Sequence, residues 1–223
     1  MNERDQKKLE IFTWELNQLS EPARNFLEYA IINIIPERFW WIPPSSSGRH
    51  HPICTRRKGG LVIHTKRVVY FAHQLIEAQQ LPREANETII VAAVLHDIAK
   101  KDKYTDYETE YVNHPVIAAE LLEDHKGELK RVFAGDNFSN FFLQVCELIK
   151  YHMGPWTPDK IKKPLERYTI EEKTLYFADY LASRKMSGTP VDDIDIPEEL
   201  FTSDEQTNEP DLEEANQPQD VQE

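Results

Sequence analysis

The residues of this sequence that are best suited to chemistry are histidines and aspartates placed on apolar helix faces. His64 is the first of them. Val68, Phe71 and Leu75 follow it at intervals that fall on one stripe of a helix, and that stripe faces the core. A lone inward-facing histidine is more often a core residue bonded to the backbone than a ligand, so His64 by itself indicates little.

The same placement recurs in four further segments of the chain. A nearly uniformly apolar segment ends in the pair His96-Asp97, and His152 extends the apolar stripe of a later helix. Asp179 shares a helix face with apolar neighbours, and His114 stands at a helix start. The full set is His64, His96, Asp97, His114, His152 and Asp179.

Six such residues in one core predict a metal centre. Unpartnered buried polar groups cost on the order of 1 to 3 kcal/mol each, whereas a divalent cation satisfies several of them at once. Imidazole and carboxylate ligands without thiolate suit Mn, Fe, Co, Ni or Zn, with Mg as a further candidate. We therefore predict one or two divalent transition metal ions, without a preference among these metals.

Helical periodicity dominates the elements that must position these residues. Residues 5–19 carry apolar side chains at helical spacing, and Ser20 before a proline indicates the start of a second helix. Thr169 and Glu172 form a candidate capping box at the start of the last helix. Residues 35–60 contain prolines, serines and glycines that exclude a long helix, so a loop is expected there. No repeat or β alternation occurs, and the predicted fold class is all-α.

Composition and charge divide the chain into one folded domain, residues 1–186, and an acidic tail, residues 187–223. The net charge is -13, yet from Met186 onward there are thirteen Asp and Glu and no Lys or Arg, which leaves 26 acidic and 26 basic residues before it. The body is therefore neutral. The tail also has four prolines and little apolar periodicity, a composition that predicts disorder.

Other features argue against several protein classes. The longest apolar run is far shorter than the roughly 20 residues of a membrane-spanning helix, and the charged N-terminal stretch lacks the apolar core of a signal peptide. We expect a cytoplasmic protein with no membrane partner, and the pattern does not indicate an oligomeric state. Cys54 and Cys146 lie far apart without a CxxC pair, so neither a disulfide framework nor a zinc knuckle is predicted.

Three sequence motifs resemble a known family. His64, the phrase HDIAK at residues 96–100 and Asp179 within YFADYLASR resemble the defining pattern of the HD superfamily, whose members are helical metal-dependent phosphohydrolases. The resemblance spans about residues 39–185. It implies that one metal is held by His64, His96, Asp97 and Asp179. It also implies a second metal that shares Asp97 with the first, because His114 and His152 match two further histidines of some subfamilies.

Shorter phrases carry finer resemblances. GGLVIHTKRVV, NHPVIAAELL and YHMGPW are similar to subfamilies that include diadenosine tetraphosphatases and an HD-type exoribonuclease. PPSSSGRHHP, which precedes the first metal histidine, resembles uncharacterised bacterial and phage HD-domain proteins with an SSSG-x-HHP loop. The sequence departs from the cyclic di-GMP phosphodiesterase branch, because it has no Gly-Tyr-Pro motif and no adjacent histidine pair near His152.

Candidate substrate contacts surround the predicted metal ligands. Lys100 follows Asp97 by three residues, so we expect it to reach a phosphate oxygen and, with Asp97, to be catalytic; its alternative is an ordinary helix-end lysine. Arg67, three residues after His64, has a phosphate-binding and a structural interpretation. A loop rich in hydroxyl, guanidinium and imidazole groups is predicted to bind phosphate, with a surface connector as the alternative. Its residues are Ser45, Ser46, Ser47, Arg49 and His51.

Taken together, these residues predict hydrolysis of a phosphoester or phosphoanhydride in a small nucleotide by metal-activated water. Trp40 or Trp41 would stack on the base, unless they pack onto the core. The first alternative is a 3′–5′ exoribonuclease of the same family. The neutral body disfavours it, because RNA binding gains affinity from many Lys and Arg contacts. The second alternative is a non-enzymatic, metal-stabilised scaffold whose acidic tail binds a partner.

Overall fold

The computed structural model describes residues 1–44, 51–100, 112–185 and 188–201. Within these ranges the chain forms nine α-helices and no strand, which confirms the all-α prediction. The helices are α1 (Glu3–Ile11), α2 (Thr13–Asn17), α3 (Glu21–Asn33), α4 (Gly60–Gln79), α5 (Arg83–Leu95), α6 (His114–Asp124), α7 (Lys126–Phe133), α8 (Phe138–Tyr151) and α9 (Ile170–Ala182). None of the described helices combines the length and hydropathy needed to cross a membrane.

The N-terminal region forms two helices where residues 5–19 predict one. Phe12 ends α1 with φ −103° and ψ 19°, and its buried ring lies 6.1 Å from that of Trp40 in an edge-on contact. Ser20 is the N-cap of α3, as predicted. Its backbone N–H and hydroxyl donate to the carboxylate of Glu87 at 2.9 and 2.8 Å, so the start of α3 is held against α5.

Helix α4 lies at the centre of the molecule. It packs most extensively against α9 and α5, while α8 packs against both α5 and α6. Residues 89–95 of α5 are fully buried, as expected for a helix that is apolar on nearly all sides. The helices that precede or contain the predicted ligands therefore share one core, and their polar residues are placed in its interior.

Between α3 and α4, the described residues 34–44 and 51–59 contain short 3-10 turns at Glu37–Trp40 and Ile53–Thr55. The two described stretches meet at the start of α4, because the Gly59 N–H donates to the Trp41 carbonyl at 2.9 Å. Gly59 adopts φ +74°, which favours glycine. A Cβ at Gly60 would overlap the Thr55 carbonyl oxygen. The loop thus fixes where the first ligand-bearing helix begins.

The chain after α9 packs on the body. Ile196 and Leu200 are buried in the main core, and the Arg57 guanidinium donates to the Ile194 carbonyl at 3.0 Å. The described segment therefore runs along the loop that precedes α4.

This packing corrects the predicted boundary between the domain and the acidic tail. We placed the boundary at residue 186, but residues 188–201 belong to the folded body, because a few scattered apolar side chains and one buried carboxylate hold them there. The rest of the predicted tail, residues 202–223, lies outside the described residues.

Candidate metal centre

Five helices deliver the six predicted ligands to one buried point. His64 lies within α4 and Asp179 within α9, and their Nε2 and Oδ1 atoms are 3.1 Å apart. The other four stand at helix ends: His96 and Asp97 directly after α5, His114 at the start of α6, and His152 directly after α8. The structure thus brings together every residue that the sequence predicts for the metal centre.

The Asp97 carboxylate lies at the centre of this cluster. Its Oδ2 atom is 3.1 Å from Nε2 of His96 and 3.4 Å from Nε2 of His64. Its Oδ1 atom is 3.1 Å from Nε2 of His114 and 3.5 Å from Nε2 of His152. The two oxygens therefore face different pairs of imidazoles, an arrangement that suits a carboxylate bridging two cations.

The ligand atoms form three overlapping groups, and the atoms of each group lie within 4.8 Å of one another. The groups are His64, His96 and Asp97; His96, His152 and Asp179; and Asp97, His114 and His152. Each combines imidazole nitrogen with carboxylate oxygen, which is the donor set expected for Mn, Fe, Co, Ni or Zn. Each group could therefore hold a metal ion.

Several polar atoms of the cluster are buried without a hydrogen bond. Both ring nitrogens of His64, Nε2 of His96 and both oxygens of Asp97 have no partner in hydrogen-bonding geometry, although ionisable neighbours lie within 3.5 Å. Buried polar groups are normally hydrogen-bonded, since leaving them unpaired is costly. A divalent cation fits this arrangement, because it accepts lone pairs from imidazole and carboxylate together.

Two backbone hydrogen bonds orient the imidazoles that follow α5 and α8. Nδ1 of His96 is 2.8 Å from the Ala93 carbonyl, and Nδ1 of His152 is 2.7 Å from the Ile149 carbonyl. A carbonyl oxygen only accepts, so in both rings Nδ1–H donates. Both Nε2 atoms face the Asp97 carboxylate, and a backbone partner on the other ring nitrogen is usual for a metal-binding histidine.

The electrostatics of the cluster also suit a cation. Burial alone would raise the pKa of Asp97, but charge interactions with His96 and Lys100 hold that pKa well below its ordinary value. Burial lowers the pKa of His114 to about 4, against the opposing pull of Asp97. At neutral pH the Asp97 carboxylate is therefore charged and the His114 imidazole neutral, as metal ligands must be.

The model of the HD domain family matches residues 61–184, more than half of the chain. This chain belongs to the HD domain family. The matched residues begin in α4, end just after α9 and include all six members of the cluster. The family resemblance predicted from the sequence motifs is confirmed, and it implies metal-dependent phosphohydrolase activity in general. No curated protein and no solved structure matches the chain.

Two of the predicted substrate contacts lie beside the HD centre. Nζ of Lys100 is 2.6 Å from Oδ2 of Asp97, and its side chain is 16% exposed. The ring centroid of His51 is 5.2 Å from that of His64. Burial, followed by the positive charges of His64 and Lys100, lowers the pKa of His51 to about 3, so its imidazole is neutral. The other predicted loop residues, Ser45, Ser46, Ser47 and Arg49, lie outside the described residues.

Arg67 does not support its predicted role in phosphate binding. Its side chain is fully buried, and the guanidinium forms an ion pair with Asp192. Nε also donates to the Ala182 carbonyl at 3.2 Å, and Nη1 donates to the Thr189 hydroxyl at 3.1 Å. The arginine is structural because its partners lie on α9 and on the segment that follows it, which the sequence did not place nearby.

The tryptophans before α4 pack onto the core, which was the alternative to stacking on a base. Trp40 has no exposed surface, and its ring contacts those of Phe12 and Phe39 at centroid distances of 6.1 and 5.3 Å. Trp41 is partly buried against the same core. Trp40 therefore has no surface on which a base could stack.

Sequence reasoning missed one residue that fixes the turn after α5. Nε of Arg38 donates to the Lys100 carbonyl at 3.0 Å, across 62 residues of sequence. This bond holds the turn that carries Asp97 and Lys100. No local pattern could have indicated it, because an arginine in a loop usually faces solvent.

Proposed function

We propose that this HD-domain protein hydrolyses a phosphoester or phosphoanhydride bond in a small nucleotide, with the phosphate bound at the cluster around Asp97. The observation that carries the proposal is the buried Asp97 carboxylate, whose two oxygens face different pairs of imidazoles. One or two divalent ions held there would lower the pKa of a water molecule and neutralise charge on the phosphoryl oxygens. The proposed ligands are His64, His96, Asp97, His114, His152 and Asp179.

The protein supplies a rigid, mostly dry frame for that chemistry. The side chains of His64, His96, Asp97, His114 and His152 are at most 3% exposed. Asp179 is the exception, at 23%. Five ligands are therefore fixed by packing, and the sixth faces the solvent from which a substrate enters. Preorganised groups of this kind need little rearrangement as charge develops on the substrate.

Lys100 and His51 are placed to contact the phosphate. The Lys100 ammonium lies at the partly exposed edge of the cluster beside Asp97, where it can donate to a phosphoryl oxygen as a point charge. Nδ1 of His51 is buried without a hydrogen-bond partner. Because the imidazole is neutral, one of its nitrogens donates and the other accepts, so it can bond a phosphate oxygen or a leaving group.

A small substrate fits the charge of the chain better than a polymer does. The sequence up to residue 185 has equal numbers of acidic and basic residues. Long RNA gains affinity from many Lys and Arg contacts to phosphates. A nucleotide with one to three phosphates needs only the charges gathered at the cluster.

The test is metal analysis followed by a hydrolysis panel with Mn, Fe, Co and Mg. The panel contains nucleoside mono-, di- and triphosphates, dinucleoside polyphosphates, cyclic nucleotides and single-stranded RNA. We expect turnover of at least one small nucleotide, and we expect His64→Ala to abolish it. His73→Ala is the matched control, since His73 lies on the same helix, 25% exposed and beside Glu77.

Two results would replace the proposal. Trimming of RNA from its 3′ end far faster than turnover of any small nucleotide would favour the exoribonuclease. Firm metal binding without turnover of any phosphate ester would favour the non-enzymatic scaffold.

A further inference from the structure

The Lys100 ammonium lies at the same carboxylate oxygen as one group of candidate metal ligands. Its Nζ atom is 2.6 Å from Oδ2 of Asp97. That oxygen also faces Nε2 of His96 and Nε2 of His64, at 3.1 and 3.4 Å. The ammonium group and a cation held by His64, His96 and Asp97 would therefore use the same carboxylate oxygen.

The backbone of Lys100 is fixed, whereas its side chain reaches the edge of the cluster. Its N–H donates to the Asp97 carbonyl at 3.0 Å, and its carbonyl accepts from Nε of Arg38 at 3.0 Å. The Lys100 side chain is 16% exposed, while that of Asp97 is 1% exposed. A lysine carries its charge on a flexible four-carbon stem. The ammonium can therefore leave Asp97 towards solvent without a change in the turn after α5.

The charge of the six candidate ligands sets how much positive charge the cluster can hold. Two of them, Asp97 and Asp179, are carboxylates, and the other four are imidazoles. One divalent ion balances the two carboxylates, and a second ion leaves an excess of positive charge. Five of the six ligand side chains are at most 3% exposed, so water screens charges poorly there. An ammonium kept at Asp97 would then repel the bound ions.

In the absence of a cation, Lys100 balances the charge of Asp97. A buried carboxylate requires a partner of opposite charge. Burial would raise the pKa of Asp97, but the charges of His96 and Lys100 hold that pKa well below its ordinary value. The same ammonium becomes an unfavourable neighbour once a divalent cation binds this carboxylate. The lysine and the cation are therefore alternative partners of Asp97.

We propose that Lys100 is an internal counter-ion of the metal centre. It pairs with Asp97 in the metal-free protein, weakens metal binding by competing for that carboxylate, and turns to the substrate phosphate when a divalent cation is bound. This inference rests on the proposed function and adds how metal loading is coupled to phosphate binding. A phosphate brings negative charge to the metal-loaded cluster and accepts charge-assisted hydrogen bonds, so the displaced ammonium gains a new partner.

A lysine next to a metal ligand can also have the opposite role. Hydrogen bonds to a metal-bound carboxylate commonly strengthen metal binding, and a lysine with that role would stay at Asp97 when the ion binds. The two roles predict opposite changes in metal affinity when the ammonium is removed. Metal affinity therefore distinguishes the counter-ion from a supporting lysine.

The direct test is a calorimetric titration of the chelator-stripped protein with Mn²⁺ and with Co²⁺. We expect Lys100→Met to bind both ions about tenfold or more tightly than the unaltered protein, because it lacks the positive charge beside the cation. Lys100→Arg keeps that charge and should not show the gain. Lys126→Met is the matched control, because Lys126 also pairs with a carboxylate, that of Glu123 at 2.9 Å, but on the surface. Its metal affinity should be unchanged.

A second titration measures the binding of inorganic phosphate to the metal-loaded proteins. Lys100→Met should bind phosphate about tenfold more weakly than the unaltered protein, because a charge-assisted hydrogen bond is lost. The variant thus gains affinity for the metal and loses affinity for phosphate. A lysine that only stabilised the fold would not give this result, since general damage would weaken both ligands.

Thermal unfolding gives a readout that does not depend on the stability of the metal-free variant at room temperature. Metal-free Lys100→Met should melt below the metal-free unaltered protein, because Asp97 loses a buried partner. Mn²⁺ should raise the melting temperature of the variant by a larger amount than that of the unaltered protein, because the variant binds the ion more tightly.

The outcomes separate the counter-ion from the proposed hydrolysis. Metal affinity in Lys100→Met that is equal to or lower than that of the unaltered protein would overturn the counter-ion, and so would an equal gain in Lys100→Arg. Tighter metal binding with unchanged phosphate binding would support competition for Asp97 and reject the contact between Lys100 and phosphate. The two opposite shifts, without turnover of any nucleotide, would support the counter-ion and reject the proposed hydrolysis.

Discussion

Helix α4 carries two buried polar groups in opposite hydrogen-bonding states. His64 and Arg67 are three residues apart, about 4.5 Å along the helix axis, and neither has exposed surface. The Arg67 guanidinium bonds the Asp192 carboxylate, a backbone carbonyl and a hydroxyl, whereas both ring nitrogens of His64 lack a hydrogen bond. The hydrogen bonds of Arg67 are all made within the chain. The buried polar atoms around His64 gain partners only when a ligand such as a metal ion binds.

The difference separates what stabilises the fold from what performs the chemistry. Removing one partner of a buried, fully paired charge lowers the stability of the fold. Buried polar groups without partners lower that stability in the free protein, and a ligand that binds them raises it. Substitutions around Arg67 should therefore lower stability, and substitutions around His64 should lower metal affinity and activity.

The largest effect is expected from Asp97→Ala. The variant loses the carboxylate that faces four imidazoles, so we expect metal binding to fall at both positions. Catalysis should drop about a thousandfold or more, as the ions supply several kcal/mol of transition-state stabilisation. The free energy of unfolding of the metal-free variant should also fall, because the Lys100 ammonium, 2.6 Å from Oδ2 of Asp97, loses this ion-pair partner. Elemental analysis, hydrolysis rates and urea unfolding measure these three quantities.

A truncation after residue 187 should have the largest effect on stability. It removes Ile196 and Leu200 from the core, worth about 1.5 to 3 kcal/mol each, and it leaves Arg67 buried without Asp192. We expect the metal-free protein to unfold at much lower urea concentration. A truncation after residue 201 is the matched control and should leave the midpoint unchanged. Equal midpoints for the two truncations would show that residues 188–201 do not stabilise the body.

A smaller and pH-dependent effect is expected from Asp192→Asn. Burial would raise the pKa of Asp192, but hydrogen bonds from Thr189 and Arg67 lower it below its ordinary value. The carboxylate therefore contributes stability above about pH 4, and this contribution is lost as the pH falls through its folded-state pKa. At pH 7 the melting temperature of the metal-free variant should be lower than that of the unaltered metal-free protein. This difference in melting temperature should become smaller below pH 4.

Asp193→Asn provides the control for this pH series, because Asp193 is the next residue and is exposed. It should melt like the unaltered protein at each pH. A gap for Asp192→Asn that stays constant with pH would mean that the carboxylate charge is not what stabilises the segment.

The metal centre and the surroundings of Arg67 also differ in how far the sequence predicts them. The metal ligands follow from local patterns, since each His or Asp stands on or at the end of an apolar helix stripe. The partner of Arg67 lies 125 residues away in sequence, in an acidic, proline-containing segment. Two apolar anchors four residues apart are too few to indicate that such a segment packs. Tertiary contacts of this kind explain why the sequence placed the domain boundary too early and did not indicate the structural role of Arg67.

The proposed function depends on divalent cations held by the cluster around Asp97, and the most direct measurement is metal stoichiometry. The protein is stripped with chelator, loaded with Mn, Fe, Co or Zn, freed of excess metal and measured by elemental analysis. We predict two ions per chain, about one after His114→Ala and His152→Ala together, and none retained by Asp97→Ala. A folded, unaltered protein that retains no ion from this series, or an Asp97→Ala variant that still retains two, would contradict the account.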